Sequence, residues 1–152
     1  MTRTPSRISL VLAAAIGATA LLAGPVPAAG KQFRASLSGA QTVPDTGDPN
    51  GTATATLTVS AGSKLCYVIR PKRLHLLRSA HVHSGRAGAS GPVVLTLFSK
   101  PKVARKGVVT GCAPLTPRKL ELLAARPENL YVDVHTKPFP KGAARGQLRA
   151  TS

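Results

Sequence analysis

Three histidines lie in two short segments that are typical of β-strands. His81 and His83 stand on either side of Val82, and His135 lies in the mostly apolar segment 130–136. Because side chains alternate along a strand, an inward Val82 would place His81 and His83 together on the opposite face. Two imidazoles on one strand face are close enough to chelate one ion, and His135 could supply a third nitrogen. Such a donor set predicts a zinc or copper site.

Other polar residues share the expected face of these strands. Asp133 has the same parity as His135, and Arg145 and Gln147 alternate in the same way near the end of the chain. If these strands are neighbours, the imidazoles meet a carboxylate and a guanidinium in an outward-facing polar patch. The same residues also fit a network without metal, in which the rings hydrogen-bond to nearby groups and Arg145 pairs with Asp133. The predicted patch comprises His81, His83, Asp133, His135, Arg145 and Gln147.

Period-two alternation predicts the strands that must position these residues. Apolar and polar residues alternate in Phe33–Leu37 and in Thr52–Val59, where threonines occupy one face. About eight short strands at this spacing predict an all-β fold, an antiparallel Greek-key sandwich. Leu65–Ile69 and Val93–Phe98 are apolar on both faces, which predicts central positions in a sheet. The other strands are expected at Ala80–His83, Val108–Cys112, Leu130–Thr136 and Gly146–Ala150.

One short helix is predicted near residues 116–126. Thr116 suits the N-cap, Pro117 suits the first helical position, and Leu120 and Leu123 recur at helical spacing. Pro127 cannot continue a helix, so it is expected to end the element. We expect this helix to close one end of the sandwich.

The first 28 residues have the pattern of an export signal. Arg3 and Arg7 precede an apolar run over Ile8–Ala23, and small residues favour cleavage after Ala28. A retained membrane anchor is the alternative, but the run is shorter than the ~20 apolar residues that a spanning helix needs. After cleavage, residues 29–152 would form one secreted, extracytoplasmic domain without a membrane span.

The two cysteines, Cys66 and Cys112, are expected to form one disulfide. An exported chain meets an oxidising compartment, where such a pair persists. Two free thiols or a pair of metal ligands would be the alternative. The sequence contains no Cys-x-x-Cys spacing that would indicate a metal pair.

The chain is strongly basic, with 21 Lys and Arg against 5 Asp and Glu and a net charge of +16. Loss of the predicted leader would remove two arginines and leave a net charge of +14. Such a charge attracts polyanions, which makes an anionic polymer outside the cell a candidate partner. The chain has no Trp, two Tyr and three Phe. Because single-stranded nucleic acids are bound on aromatic rings, this composition argues against a specific nucleic-acid site.

Six short motifs occur in the order typical of one known family. They are Ala40-Gln41-Thr42-Val43-Pro44, Gly51-Thr52-Ala53, Ala80-His81-Val82-His83-Ser84-Gly85, Gly91-Pro92-Val93-Val94, Leu130-Tyr131-Val132-Asp133-Val134-His135-Thr136 and Arg145-Gly146-Gln147-Leu148. Together they resemble the chordin-type domain, or CHRD, family from Phe33 to Leu148. The resemblance implies an extracellular β-rich module whose own biochemical activity is poorly defined. Thr42 and Ala143 stand where that family usually has Glu, and Asp133 replaces a frequent Asn.

A looser likeness is to copper/zinc superoxide dismutase, which also has a His-x-His strand before a glycine-containing loop. Three functional hypotheses result. The first is a secreted binding or structural module of undefined ligand, with the polar patch as its recognition surface. The second is a dismutase-type oxidoreductase in which His81, His83 and His135 hold copper or zinc and Arg145 guides an anion. The third is retention on a polyanion at the cell surface. No serine, cysteine or paired-carboxylate arrangement supports hydrolysis, so no catalytic residue is assigned.

Overall fold

Nine antiparallel strands and one short helix make up the part of the chain that the structure describes. The computed structural model describes residues 30–60, 63–101 and 107–151, so the predicted leader lies outside the described residues. The elements are β1 (Gln32–Ser38), β2 (Thr52–Ser60), β3 (Lys64–Lys72), β4 (Leu77–Ser84), β5 (Val93–Ser99), β6 (Val109–Pro114), α1 (Pro117–Ala125), β7 (Leu130–Thr136), β8 (Ala144–Gln147) and β9 (Arg149–Thr151).

The strands form one path that nearly closes on itself. Their order is β5-β4-β7-β8-β1-β2-β3-β6, and β9 continues along β1 beyond β8. At the far end of this order β6 approaches β5. The spatial sequence β3, β6, β5, β4 is therefore the Greek-key arrangement. The predicted all-β antiparallel sandwich is confirmed.

One hydrophobic core fills the space between the two halves of this path. In β2, Ala53, Ala55 and Leu57 are buried, while the threonines that alternate with them face outward. From the other half, Val82 and Val132 are fully buried in the same core. The alternation that places His81 and His83 opposite the core is thus present.

Two details of the strand prediction are corrected. Leu65–Ile69 lies within β3, between two neighbours as expected, but Val93–Phe98 forms β5 at one end of the strand order. The inward side chains of β5 are buried because the sheet nearly closes, and a central position is not needed to explain them. The last predicted strand, Gly146–Ala150, is divided between β8 and β9. Leu148 leaves the ladder to be buried, and its N–H donates to the Leu130 carbonyl.

Helix α1 begins and ends close to the predicted positions. The Thr116 hydroxyl accepts a hydrogen bond from the Lys119 N–H at 3.4 Å, and Pro117 occupies the first turn. Leu123 is buried against the core, whereas Pro127 starts a separate 3-10 turn. Within the described ranges, no helix has the length and apolarity to cross a membrane.

The predicted disulfide is present between β3 and β6. Cys66 and Cys112 stand directly opposite each other in the ladder and are bonded. The bond joins residues that are 46 positions apart in the chain. It therefore ties the last strand of the order covalently to its neighbour.

Removal of this disulfide is expected to lower the free energy of unfolding by about 4 kcal/mol, the value that chain entropy gives for a loop of this length. Urea unfolding of Cys66→Ala/Cys112→Ala against the wild type measures the loss. Reduction of the wild type with dithiothreitol should reproduce it, whereas the double variant should not respond to the reductant. An unchanged unfolding midpoint after full reduction would contradict the expectation.

Candidate metal centre

Strand pairing brings three histidines and one aspartate together. In the ladder between β4 and β7, His81 stands directly opposite Asp133. Because alternate residues of a strand share a face, His83 and His135 lie on the same face as this pair. The intervening valines of both strands point into the core. We refer to His81, His83, Asp133 and His135 as the His/Asp cluster.

The Asp133 carboxylate lies at the centre of the His/Asp cluster. Its Oδ1 is 3.2 Å from His81 Nδ1. Its Oδ2 is 3.1 Å from His83 Nε2 and 3.0 Å from His135 Nε2. His81 Nδ1 is also 3.2 Å from His135 Nε2. One donor atom from each residue can thus be chosen so that all four lie within 4.8 Å of one another.

Backbone carbonyls fix the orientation of two of the rings. His83 Nδ1 donates to the Gly91 carbonyl and His135 Nδ1 donates to the Pro140 carbonyl, both at 2.9 Å. A carbonyl oxygen only accepts, so each Nδ1 carries a proton and each Nε2 faces the cluster. In neutral rings these Nε2 atoms hold lone pairs beside a carboxylate, which also only accepts. The arrangement therefore requires either extra protons on the rings or a cation among the four side chains.

His83 Nε2 is the least satisfied atom of the cluster. It is buried and, among the described residues, has no hydrogen-bond partner, although Asp133 Oδ2 is 3.1 Å away. This separation is that of an ion pair, but the carboxylate oxygen lies off the direction in which the ring nitrogen donates. A buried ring nitrogen whose opposite N–H is held by a carbonyl is typical of a metal ligand.

Burial and charge act against each other on the pKa values of this cluster. Burial raises the pKa of Asp133, but the three imidazoles, each with a nitrogen within 3.2 Å of a carboxylate oxygen, outweigh it and hold that pKa well below its usual range. Burial lowers the pKa of His83, but the neighbouring carboxylate and the Gly91 carbonyl outweigh it, so the pKa is raised. The pKa of His135 is raised mainly by its hydrogen bond to Asp133, against the effect of burial. Without a metal, the cluster favours a charged carboxylate beside protonated rings.

The face that carries the cluster is less exposed than the sequence predicts. Asp133 is 7% exposed and Arg145 is 2% exposed, and His135 is the one residue of β7 that is not buried. The reason is that the loop over residues 85–91 lies against this face. The predicted residues do share one face, but the expectation of an outward patch is corrected.

Arg145 anchors this loop and does not pair with Asp133. Its Nη2 donates to the carbonyls of Arg86 and Ala89, both at 2.8 Å. Arg145 and Asp133 stand opposite each other in the ladder between β7 and β8, yet among the described residues they form no salt bridge. Nη2 is thus occupied by loop carbonyls, whereas Nη1 is buried and has no hydrogen-bond partner among the described residues.

Tyr131 also belongs to this site, although the predicted patch omits it. Its ring stacks on His83 at a centroid distance of 4.8 Å, and Arg145 Cζ lies 3.5 Å from its centroid. Its hydroxyl accepts a hydrogen bond from the Gly91 N–H at 3.3 Å. The signal was available, because Tyr131 has the same strand parity as Asp133.

The remaining polar residue of the predicted patch also supports the loop. Gln147 Nε2 donates to the carbonyls of Gly85 and Glu128 and lies outside the cluster. His75 is exposed on the surface, outside the cluster. Four of the six predicted patch residues therefore form the cluster, and the other two, Arg145 and Gln147, hold the loop that covers it.

The cluster fits a transition-metal ion. Neighbouring ligand atoms around tetrahedral zinc, at bond lengths of about 2.0 to 2.1 Å, lie about 3.3 Å apart. Four donor separations in the cluster are 3.0 to 3.2 Å, one of them to Asp133 Oδ1 and two to Asp133 Oδ2. With one donor atom per residue the set spans up to 4.8 Å, so a bound ion would draw the farther donors closer. Imidazole nitrogens and a carboxylate are donors that zinc and copper accept. The carbonyls on the outer ring nitrogens supply the orienting contacts that metal-binding histidines usually have.

The pH dependence of stability follows from these pKa shifts. In metal-free protein, the raised pKa values of His83 and His135 contribute stability that is complete below about pH 6.5 and is lost as the pH rises. The lowered pKa of Asp133 contributes stability above about pH 4 that is lost as the pH falls. We expect the urea midpoint of EDTA-treated protein to fall as the pH rises above about 6.5.

Asp133→Asn is the control for this pH dependence. It removes the negative charge that raises the histidine pKa values, so the fall of the urea midpoint above neutral pH should flatten. A wild-type midpoint that rises with pH over the same interval would contradict the expectation.

The loop over the cluster is expected to depend on Arg145. Arg145→Met should lower the free energy of unfolding by about 3 kcal/mol, because two charge-assisted hydrogen bonds are lost and two carbonyls lose their donor. Arg149→Met, at an exposed position on β9, is the matched control and should change it by less than about 0.5 kcal/mol. Urea unfolding measures both, and equal losses would argue against the anchoring role.

The similarity of this chain to known proteins lies in one domain family. A family model described as CHRD domain matches residues 33–148, about three quarters of the chain. No curated protein and no solved structure matches the chain significantly. The matched range contains the whole His/Asp cluster, both cysteines and the loop over residues 85–91. The resemblance found in the sequence is confirmed, and this chain belongs to the CHRD domain family.

Proposed function

We propose that this chain is an extracytoplasmic β-sandwich module in which the His/Asp cluster binds one zinc or copper ion. One observation carries the proposal: four donor atoms from two neighbouring strands lie within 4.8 Å of one another. Two of these donors are Nε2 atoms whose rings are already oriented by backbone carbonyls. A bound cation would take the place of the extra protons that this crowding otherwise requires.

The donor set supports a closed, structural ion better than an open redox centre. Three imidazoles and one carboxylate complete the four positions of tetrahedral zinc. A catalytic zinc site keeps one position for water or substrate, and in this cluster Asp133 takes that position. The ion would act as a Lewis acid that links β4 to β7, since each of these strands supplies two ligands.

The dismutase-type hypothesis receives less support from the geometry. It uses Arg145 to guide an anion towards the metal, but this side chain is 2% exposed and its Nη2 is occupied by two carbonyls. The covering loop also lies between the guanidinium and solvent. Copper chemistry is therefore the second candidate, and the metal-loaded protein tests it directly.

Export of the chain is part of the proposal. The first 28 residues have the pattern of an export signal. The disulfide between Cys66 and Cys112 suits an oxidising compartment, and membership of the CHRD family supports an extracellular setting. Secreted protein should begin at Ala29 by mass spectrometry, whereas uncleaved protein retained in the membrane would count against export.

Metal content is the direct test of the proposed ion site. Tag-free protein is stripped with EDTA and then titrated with zinc chloride or copper chloride in a calorimeter. We expect one ion per chain. Because an ion that binds only the folded state adds about 2.7 kcal/mol at one hundred times its Kd, the melting temperature should rise with zinc.

Variants of single histidines separate this site from adventitious binding. His81→Ala and Asp133→Asn each remove a ligand and should weaken zinc binding by more than about a hundredfold, since even changes behind the ligands cost ten- to a hundredfold. His75→Ala is the matched control, because His75 is exposed and outside the cluster. Substoichiometric binding by the wild type, or an equal loss in His75→Ala, would overturn the metal site. Superoxide dismutation by copper-loaded protein would instead support the dismutase-type hypothesis.

A further inference from the structure

The outward face of β9, β1, β2 and β3 is rich in hydroxyl groups and cations. This face lies on the opposite side of the sheet from the core, and the His/Asp cluster uses none of its side chains. None of these four strands contains Asp or Glu. The hydroxyl groups along β1 and β2 on this face are those of Ser36, Ser38, Thr52, Thr54, Thr56, Thr58 and Ser60.

Two arginines stand directly opposite each other on this face. Arg34 of β1 pairs in register with Arg149 of β9, and both are exposed. Like charges at directly opposite positions destabilise an antiparallel pair. Neither arginine has a salt bridge among the described residues. An anion held between the two guanidinium groups would offset this repulsion, and the planar guanidinium matches carboxylate and sulfate oxygens.

Two shallow concavities extend from this pair across the sheet. They measure about 500 and 530 Å³ and share Ser36 and Gln41 as common walls. The first is bordered by the arginine pair, and the second is bordered by Arg70 and Lys72 of β3. We refer to them together as the cationic tract. It crosses from β9 to β3, which at the usual strand spacing is roughly 14 Å.

We propose that the cationic tract binds an anionic polysaccharide. Cations at both ends would take carboxylate or sulfate groups, and the hydroxyl and amide groups between them suit the hydroxyls of sugar rings. No aromatic side chain lines either concavity among the described residues, which disfavours nucleic-acid bases. The exposed large apolar residues lie on other elements, which disfavours insertion into a membrane surface. Those residues are Leu76, Val93 and Leu122.

The test compares two double variants that lose the same charge. Binding of a heparin-derived oligosaccharide and of oligogalacturonate is measured by calorimetry at physiological salt. Arg34→Gln/Arg149→Gln should weaken binding of the preferred probe by at least about tenfold. Arg78→Gln/Arg118→Gln removes two exposed arginines outside the tract and should change it by less than about threefold. The two probes distinguish a sulfate preference from a carboxylate preference.

A third variant separates loss of binding from loss of folding. Arg34→Glu places an opposite charge across from Arg149, so its melting temperature should equal or exceed that of the wild type while binding is lost. Equal weakening of binding in both double variants would show that net charge alone accounts for the interaction, and it would overturn the proposal. Absence of binding at physiological salt, or tighter binding to oligothymidylate or to anionic lipid vesicles, would overturn it as well.

Discussion

Burial of the Asp133 carboxylate sets the condition that the rest of the site must meet. A charged carboxylate that is removed from water costs several kcal/mol unless donors or a cation offset the loss of hydration. Three imidazoles provide that compensation here, at separations of 3.0 to 3.2 Å. Two of them are held in place by loop carbonyls, so the loops after β4 and β7 take part in stabilising a charge that they do not touch.

The loop over residues 85–91 can place its carbonyls beside His83 and Arg145 because two of its glycines permit the backbone path that this requires. A side chain at Gly91 would collide with the Ser84 carbonyl, and Gly88 has a φ of +78°, which favours glycine. Two carbonyls of the same loop accept hydrogen bonds from the Arg145 guanidinium, and the Gly91 N–H donates to the Tyr131 hydroxyl. The burial of the cluster and the path of the loop therefore depend on each other.

Strand alternation predicted which residues share a face, because a period of two is a local property of the chain. Alternation alone predicts that His81, His83, Asp133 and His135 lie on one face. It did not predict that this face is covered, because the cover depends on a distant loop and on the direction in which Arg145 donates. The apolar segment of β5 was misplaced for a related reason. A strand that is apolar on both faces can lie at the centre of a flat sheet or at the end of a curled one, and composition alone does not separate the two.

The two ends of the strand order differ from regular open edges. The disulfide fastens β6 to β3, and the pairing of β5 with β4 contains two register shifts. A straight, loosely held edge is the template on which another polypeptide can add as an extra strand. Here one terminal strand is covalently tethered and the other is bent by its irregular pairing. Because β6 and β5 also approach each other, neither terminal strand presents a fully open edge on which another polypeptide could add.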